Sequence, residues 1–406
     1  MLLAIAWRNI WRSRTRSLVI LIAITLGLAS GIFYMAFYKG MLDQRINSAI
    51  KTEASHIQIH HAKYLTNPDK KFVITSTDSV VQAIRAEENV KAVSSRLIVN
   101  TMIQSPTTGS GVKVTGIDPT MEAQVTNLHS KLIDGSYFEE DRRNPIIIGE
   151  KLAEKLKVKL KSKLVITVQD MAGNITGAAF KVVGIYETSN TSFDEKNVFV
   201  RQTDLSRLLA IGENTSHEIA VLLTQNEQLN PVARKLRSEL SNLSVKTWRE
   251  IMPEVSLLES SFGLTMYIFI GIILLALLFG IVNTMLMAVL ERTKELGMLM
   301  AIGMNRVRVF AMIMLETVML SLFGGLCGII LGWLLNLYFG ATGIDLGAWS
   351  AAYKSMGFDT LVYTRLSWSI SLQVAIMVMV TGIIASIYPA LKALRLKPGE
   401  AIRIDM

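Results

Sequence analysis

The sequence predicts a membrane protein with four transmembrane α-helices and a mixed α+β extracytoplasmic domain inserted between helices 1 and 2. Three observations carry that prediction. Half of the 406 residues are hydrophobic and only 18% are charged, and the apolar residues gather in four blocks. Each block is long enough for the roughly 20 apolar residues that a bilayer-spanning helix needs. Between the first two blocks lies a long stretch with soluble-protein patterning, large enough to bury a core of its own.

Residues 1–16 form the first element. Leu3, Trp7, Ile10 and Trp11 recur at helical spacing on one face, with Arg8, Asn9 and Arg12 largely elsewhere. Such a helix lies in the membrane interface, held by its tryptophans against membrane lipid. Span one follows over residues 17–38 and has no charge at all. Its long basic leader and extended apolar run read as an uncleaved span rather than a signal peptide. Span two covers 262–290, span three 310–339 with Glu316 inside it, and span four 369–391.

Flanking charge orients these spans. Arg8, Arg12, Arg14 and Arg16 precede span one. Arg292, Lys294, Arg306 and Arg308 occupy the connection 291–309, and Lys392, Arg395, Lys397 and Arg403 the tail 392–406. The opposite loop, 340–368, balances Lys354 and Arg365 with Asp345 and Asp359. Short basic loops stay in the cytoplasm. Both termini are therefore expected in the cytoplasm and the 39–261 domain in the periplasm of a bacterial inner membrane. The net charge of +9 follows from the same flanks, so no nucleic-acid partner is expected.

Within 39–261 the pattern alternates between strands and helices. Strands are expected at 55–61, 90–104, 111–117, 146–148, 164–169, 178–186 and 218–224. Helices are expected at 78–88, capped by Asp78, and at 150–157, 203–211 and 228–240. The run Asp170 to Asn174 reads as a tight hairpin tip, and a helix from about Trp248, interrupted near Pro253, leads into span two. His56 and His60 share a face of the first strand beside His61, but no third metal ligand is near in sequence. Nucleophile-elbow, zincin and phosphate-binding-loop motifs are absent. No catalytic residue, metal or cofactor is expected on this chain. Cys327 is the sole cysteine, which excludes an internal disulfide, and is expected as a small buried side chain.

Small residues recur four apart inside the spans. Ala23, Gly27 and Gly31 form one stripe on span one, and Gly324, Gly328 and Gly332 another on span three. Such stripes let helices approach closely in lipid, and span one's stripe also suits dimerisation. Asn283 and Glu316 are costly inside a bilayer unless paired, so both are expected to hydrogen-bond between helices. In the connection after span two, Glu291, Arg292, Lys294 and Glu295 adjoin Leu296, Leu299 and Ile302. Charges of both signs fix a register against a partner while the apolar positions pack. Gly297 and Gly303 permit close approach or a turn.

The run Glu291 to Gly303, ERTKELGMLMAIG, resembles the signature of the FtsX-like, MacB-like (type VII) permease superfamily of ABC transporters. The layout of the whole chain fits it. So do Ala6 to Arg14, AWRNIWRSR, and Tyr388 to Arg403, YPALKALRLKPGEAIR. Met300 departs from the basic residue that relatives often carry. The resemblance implies that residues 291–303 form a coupling helix seated in a cleft of a separate cytoplasmic ABC ATPase, which binds the ATP and Mg. It also implies a second permease subunit, as homo- or heterodimer. Among the branches, the chain is most similar to the lipoprotein-releasing permease subunits, where a groove between the first and second spans takes the acyl chains of a lipoprotein bound for a periplasmic carrier. The hairpin at 169–178 is shorter than that of the carrier-recruiting subunit and lacks its proline. Mechanotransmission to a periplasmic partner and efflux of a drug or peptide are the alternatives.

Overall fold

The computed structural model describes residues 7–8, 10–12, 14–138, 143–212 and 214–394. Leu3 and Asn9 of the expected surface helix, and Arg395, Lys397 and Arg403 of the tail, lie outside the described residues. The chain divides into two units. One comprises Met1–Leu42, Ser260–Asp345 and Leu361–Met406, the other Asp43–Glu259 and Leu346–Thr360.

Four helices of the first unit are long and apolar enough to cross a membrane. They overrun the apolar blocks. Span one is part of a helix Arg14–Ser48 that passes into a π-helical turn, Ala49–Ala54; Lys39, Met41, Leu42, Gln44 and Arg45 after Tyr38 are good helix formers. The span-two helix is Pro253–Glu291. Its preceding turn, Trp248–Ile251, starts with a capping box between Thr247 and Glu250, and proline at the next start gives up only an N–H that a first turn leaves unpaired anyway. Spans three and four are Arg306–Thr342 and Trp368–Leu394.

The glycine stripe of span three lies directly on span one. A Cβ on Gly328 would sit 2.8 Å from Leu28 Cβ and 3.0 Å from the Thr25 carbonyl oxygen; Cβ atoms on Gly324 and Gly332 would meet Ile24 and Ile32 at 3.0 Å. Thr25 Oγ1 donates across the contact to the Gly324 carbonyl. Gly27 and Gly31 are looser. Their nearest neighbours would be Leu277 Cδ1 at 3.4 Å and Val374 Cγ1 at 3.5 Å. These two glycines thus face spans two and four of the same chain.

The second unit is built on a ten-stranded mixed sheet. Its strands are β1 (Ile57–His61), β3 (Val90–Gln104), β4 (Gly109–Ile117), β5 (Leu132–Gly135), β6 (Pro145–Gly149), β7 (Lys163–Gln169), β8 (Ile175–Tyr186), β9 (Asn197–Arg201), β11 (Glu218–Leu223) and β12 (Leu243–Thr247). The order is β12-β1-β11-β3-β4-β9-β6-β8-β5, with β7 pairing β3 and β8. Among the described residues only β4–β9 and β6–β8 are parallel. A short pair, β2 (Ile74–Thr75) with β10 (Thr215–Ser216), lies outside this sheet, and β13 (Ile344–Asp345) with β14 (Leu361–Val362) belongs to the other unit. The long β3 serves two neighbours in turn, β11 along its first half and β7 at its end.

Several expectations need correction. Asp78 is no cap: the helix Thr77–Arg85 is preceded by Ser76 in a left-handed conformation, and Asp78 lies in the first turn. His56 precedes β1 instead of sharing its face with His60. Part of the 340–368 loop joins the soluble unit, where Lys354 pairs with Glu187 and its carbonyl accepts from Thr191. Cys327 is exposed on span three instead of buried.

Candidate coupling site

Span two ends at Glu291, and Arg292 leaves the helical conformation as the N-cap of a separate short helix, Thr293–Ala301. The short helix closes on Gly303, whose φ of +102° is left-handed. Nothing crowds its missing Cβ, so here glycine answers a backbone need and not a packing one. Asn305 then caps span three by accepting from the Val307 N–H.

The residues singled out in this segment divide between two faces. Leu296 and Gly297 are buried and Leu299 packs against the apolar core of the helices. Arg292 and Glu295 also turn inward. Arg292 Nη1 lies 3.4 Å from both carboxylate oxygens of Glu316 on span three. Glu295 Oε1 is 2.7 Å from Arg12 Nη2 of the N-terminal segment. A cavity of about 420 Å³ opens between these pairs, lined also by Met285, Leu299 and Met312. The Arg292–Glu316 pair is the weightier of the two: both groups are largely buried, and breaking a buried pair leaves an uncompensated charge. The Arg12–Glu295 pair is open to solvent and contributes at most about 1 kcal/mol.

Outward lie Glu291, Lys294, Met298 and Ile302. Ile302 was expected among the packed positions, yet it is 80% exposed, and Met298 is 55% exposed. Lys294, Met298 and the C-cap residue Ile302 follow one another at four-residue helical spacing, so the signal was present in the sequence. What hid it was that inward and outward apolar residues interleave over a single short helix. The result is two apolar side chains presented beside a carboxylate and an ammonium, the composition of a docking face.

Asn283 departs from expectation. It lies exposed on span two, and among the described residues its side chain makes no hydrogen bond. It shares its face with the exposed Ile272, Leu275, Phe279 and Met287. Glu316, by contrast, is buried and paired with Arg292.

The soluble unit holds a second ionisable cluster. Arg96 of β3 is buried, donating to both Glu122 oxygens at 3.0 and 2.6 Å and to Glu218 Oε1 at 2.6 Å. Burial alone would raise the Glu218 carboxyl, but Arg96, Lys113 and His60 overcome it and hold it below the usual range. The histidines are spent on structure. His56 Nδ1 accepts from the Leu223 N–H at 3.1 Å, His60 Nδ1 lies 3.0 Å from the His217 carbonyl, and His61 stacks on Phe72. Burial and then Lys51 depress His56 to about 4. Among the described residues no group of three or more His, Cys, Asp or Glu is placed to hold a metal.

Two protein-family models match the chain: the MacB-like periplasmic core domain over residues 17–239, and the FtsX-like permease C-terminal region over residues 267–398. The chain is 25% identical over 423 residues to an uncharacterized ABC transporter permease of Methanocaldococcus jannaschii, covering 99% of this chain and 97% of that one. It is 22% identical over 426 residues to the lipoprotein-releasing system transmembrane protein LolE of Haemophilus influenzae, covering 98% of each. It is 23% identical over 422 residues to the macrolide export ATP-binding/permease protein MacB of Wolinella succinogenes, covering 98% of this chain and 60% of the relative. Among solved structures, the periplasmic region of MacB from Actinobacillus actinomycetemcomitans covers 53% of this chain and 97% of its own, at 11% identity and a TM-score of 0.37. The first of these matches alone spans more than half of the residues, and the chain therefore belongs to the multi-pass ABC transporter permeases that join a MacB-like periplasmic core domain to an FtsX-like C-terminal region.

Proposed function

We propose that this chain is the membrane subunit of a transporter whose ATPase is a separate cytoplasmic subunit docked on the outward face of the 293–301 helix. The observation that carries this reading is the exposed pair Met298 and Ile302 beside Lys294 and Glu291. Apolar side chains held in water by a charged rim mark a contact surface. The chain has no phosphate-binding loop of its own. Basic flanks on the same side as this helix support a cytoplasmic setting for it and for both termini, with the soluble unit in the periplasm of a bacterial inner membrane.

A second permease subunit completes the assembly. The exposed face of span two bears Asn283, a polar group that lipid cannot satisfy and a facing helix can. The groove between spans one and two of such a pair suits acyl chains. With the full-length likeness to LolE, this favours extraction of lipoproteins from the inner membrane and their transfer to a periplasmic carrier. The comparable likeness to a macrolide exporter favours the second reading, efflux of a small molecule. A triacylated lipoprotein co-purifying with the assembly supports the first reading, and its absence beside drug-stimulated ATP hydrolysis supports the second.

The docking face is tested with Ile302→Asp. Because Ile302 is solvent-exposed, the variant is expected to fold and insert normally. It should bind the ATPase at least about tenfold more weakly, the worth of one apolar side chain lost from an interface. Glu295→Lys serves as the contrast, since it breaks the internal Arg12 pair and is expected to uncouple hydrolysis from transport. Unchanged ATPase binding by Ile302→Asp would place the docking site elsewhere.

A further inference from the structure

On the flank of span one that turns toward span three lies a groove unlike the other cavities of this unit. It has a volume of about 580 Å³ and walls formed by Trp7, Trp11, Leu18, Leu21, Phe323 and Cys327. Trp7 is the corner of the wall, 5.5 Å from the Phe323 ring and 5.9 Å from the Trp11 ring between centroids. The polar groups along it are few. Ser17 already donates to the Ile10 carbonyl at 2.8 Å, which leaves Thr15 and the exposed guanidinium of Arg14 at the rim.

We propose that this groove is a binding site for an anionic phospholipid, with an acyl chain lying along the Trp7–Phe323 wall and the headgroup phosphate against Arg14. Three features commit the site to that occupant. The lining is apolar over its length, which suits a hydrocarbon chain and offers nothing to a polar solute. Among the described residues that line the groove, the charged one is a cation, Arg14, which recognises a phosphate. The groove also lies where the N-terminal segment, with its two tryptophans and its arginines, meets the start of span one, at the depth where headgroups sit. The guanidinium of Arg12 is already engaged by Glu295, so Arg14 is the cation placed to select the headgroup. The site is distinct from the substrate groove proposed between spans one and two, and it does not depend on which cargo the transporter carries.

The full chain, purified and reconstituted in nanodiscs of phosphatidylglycerol or phosphatidylcholine, tests this. Native mass spectrometry after release into mild detergent should show one phosphatidylglycerol retained in preference to phosphatidylcholine. Arg14→Gln should lower that preference by about fivefold, the worth of one cation near an acidic lipid, and Arg14→Lys should keep most of it. Cys327 is the sole cysteine and lines the groove, so it reports occupancy independently. Maleimide labelling should be slower in phosphatidylglycerol than in phosphatidylcholine, and the difference should vanish in Arg14→Gln. Equal retention of the two lipids, meaning ordinary annular lipid only, overturns the proposal. So does labelling of Cys327 that is indifferent to lipid, or protection traced to a bound lipoprotein or a second copy of the chain. None of these outcomes touches ATPase docking at Ile302, so failure here and failure of the proposed function are told apart.

Discussion

At the scale of single residues, burial decides what the ionisable groups of the soluble unit do. His56 is held neutral near pH 7 because its folded-state pKa of about 4 lies below its ordinary value of 6.5. The sign follows directly. The folded state binds the proton less readily than the unfolded chain, so the contribution of His56 is full above pH 6.5 and is lost as pH falls toward 4. That loss is on the order of 3 kcal/mol. Asp194 works in the opposite sense: burial raises it to about 6, so its contribution is present at acid pH and fades as pH rises through 6. Thermal midpoints recorded between pH 7 and 4 should therefore fall less steeply for His56→Gln, whose amide oxygen can accept from Leu223, than for the parent; an equal slope would remove His56 from the account. The histidine cluster was visible in the sequence as a possible metal site. What the sequence withheld was that Leu223, His217 and Phe72, distant in the chain, already satisfy those rings.

At the scale of elements, legibility tracked the strength of periodicity. The spans announced themselves because hydropathy over 20 residues needs no tertiary context. β3 was readable to the residue, and the tip at Asp170 to Asn174 closes as expected through Asp170 N–H to the Asn174 carbonyl and Asn174 N–H to the Asp170 carboxylate. β5, β9 and β12 and the helices Pro119–Val125 and Thr191–Lys196 were not read. They are short, and they exist because β8, β6 and β1 or the sheet face lie alongside them, which no local pattern encodes. The glycine stripes were legible as stripes but not in their partners. Those partners separate two substitutions that look alike in sequence. Gly328→Ala drives a methyl into Leu28 Cβ and the Thr25 carbonyl and should cost roughly 1–3 kcal/mol, the usual penalty of overpacking. Gly27→Ala meets only the movable end of Leu277 and should be nearly neutral. Unfolding in mixed micelles would measure both, and equal effects would refute the packing assigned to spans one and three.

At the scale of the whole molecule, the permease architecture was readable from the four blocks, the inserted domain and the motif at 291–303. The division of that motif into an inward and an outward face was not, because it depends on where Arg12 and Glu316 stand. The unpaired face of span two bears on assembly. In a Cys327→Ala background, Asn283→Cys should form an oxidant-induced cross-linked dimer in native membranes. Leu334→Cys, exposed on span three, should not. Cross-linking of Leu334→Cys with none at Asn283→Cys would move the subunit contact to another face.

The backbone-close seam along Gly324, Gly328 and Gly332 makes spans one and three a single stiff member, in which neither helix slides without lifting off the other. Span two has no such seam with span one: where they meet at Gly27, the contact is the swinging tip of Leu277. The slack between these helices therefore lies along span two, which can shift against span one by the rotation of a leucine side chain.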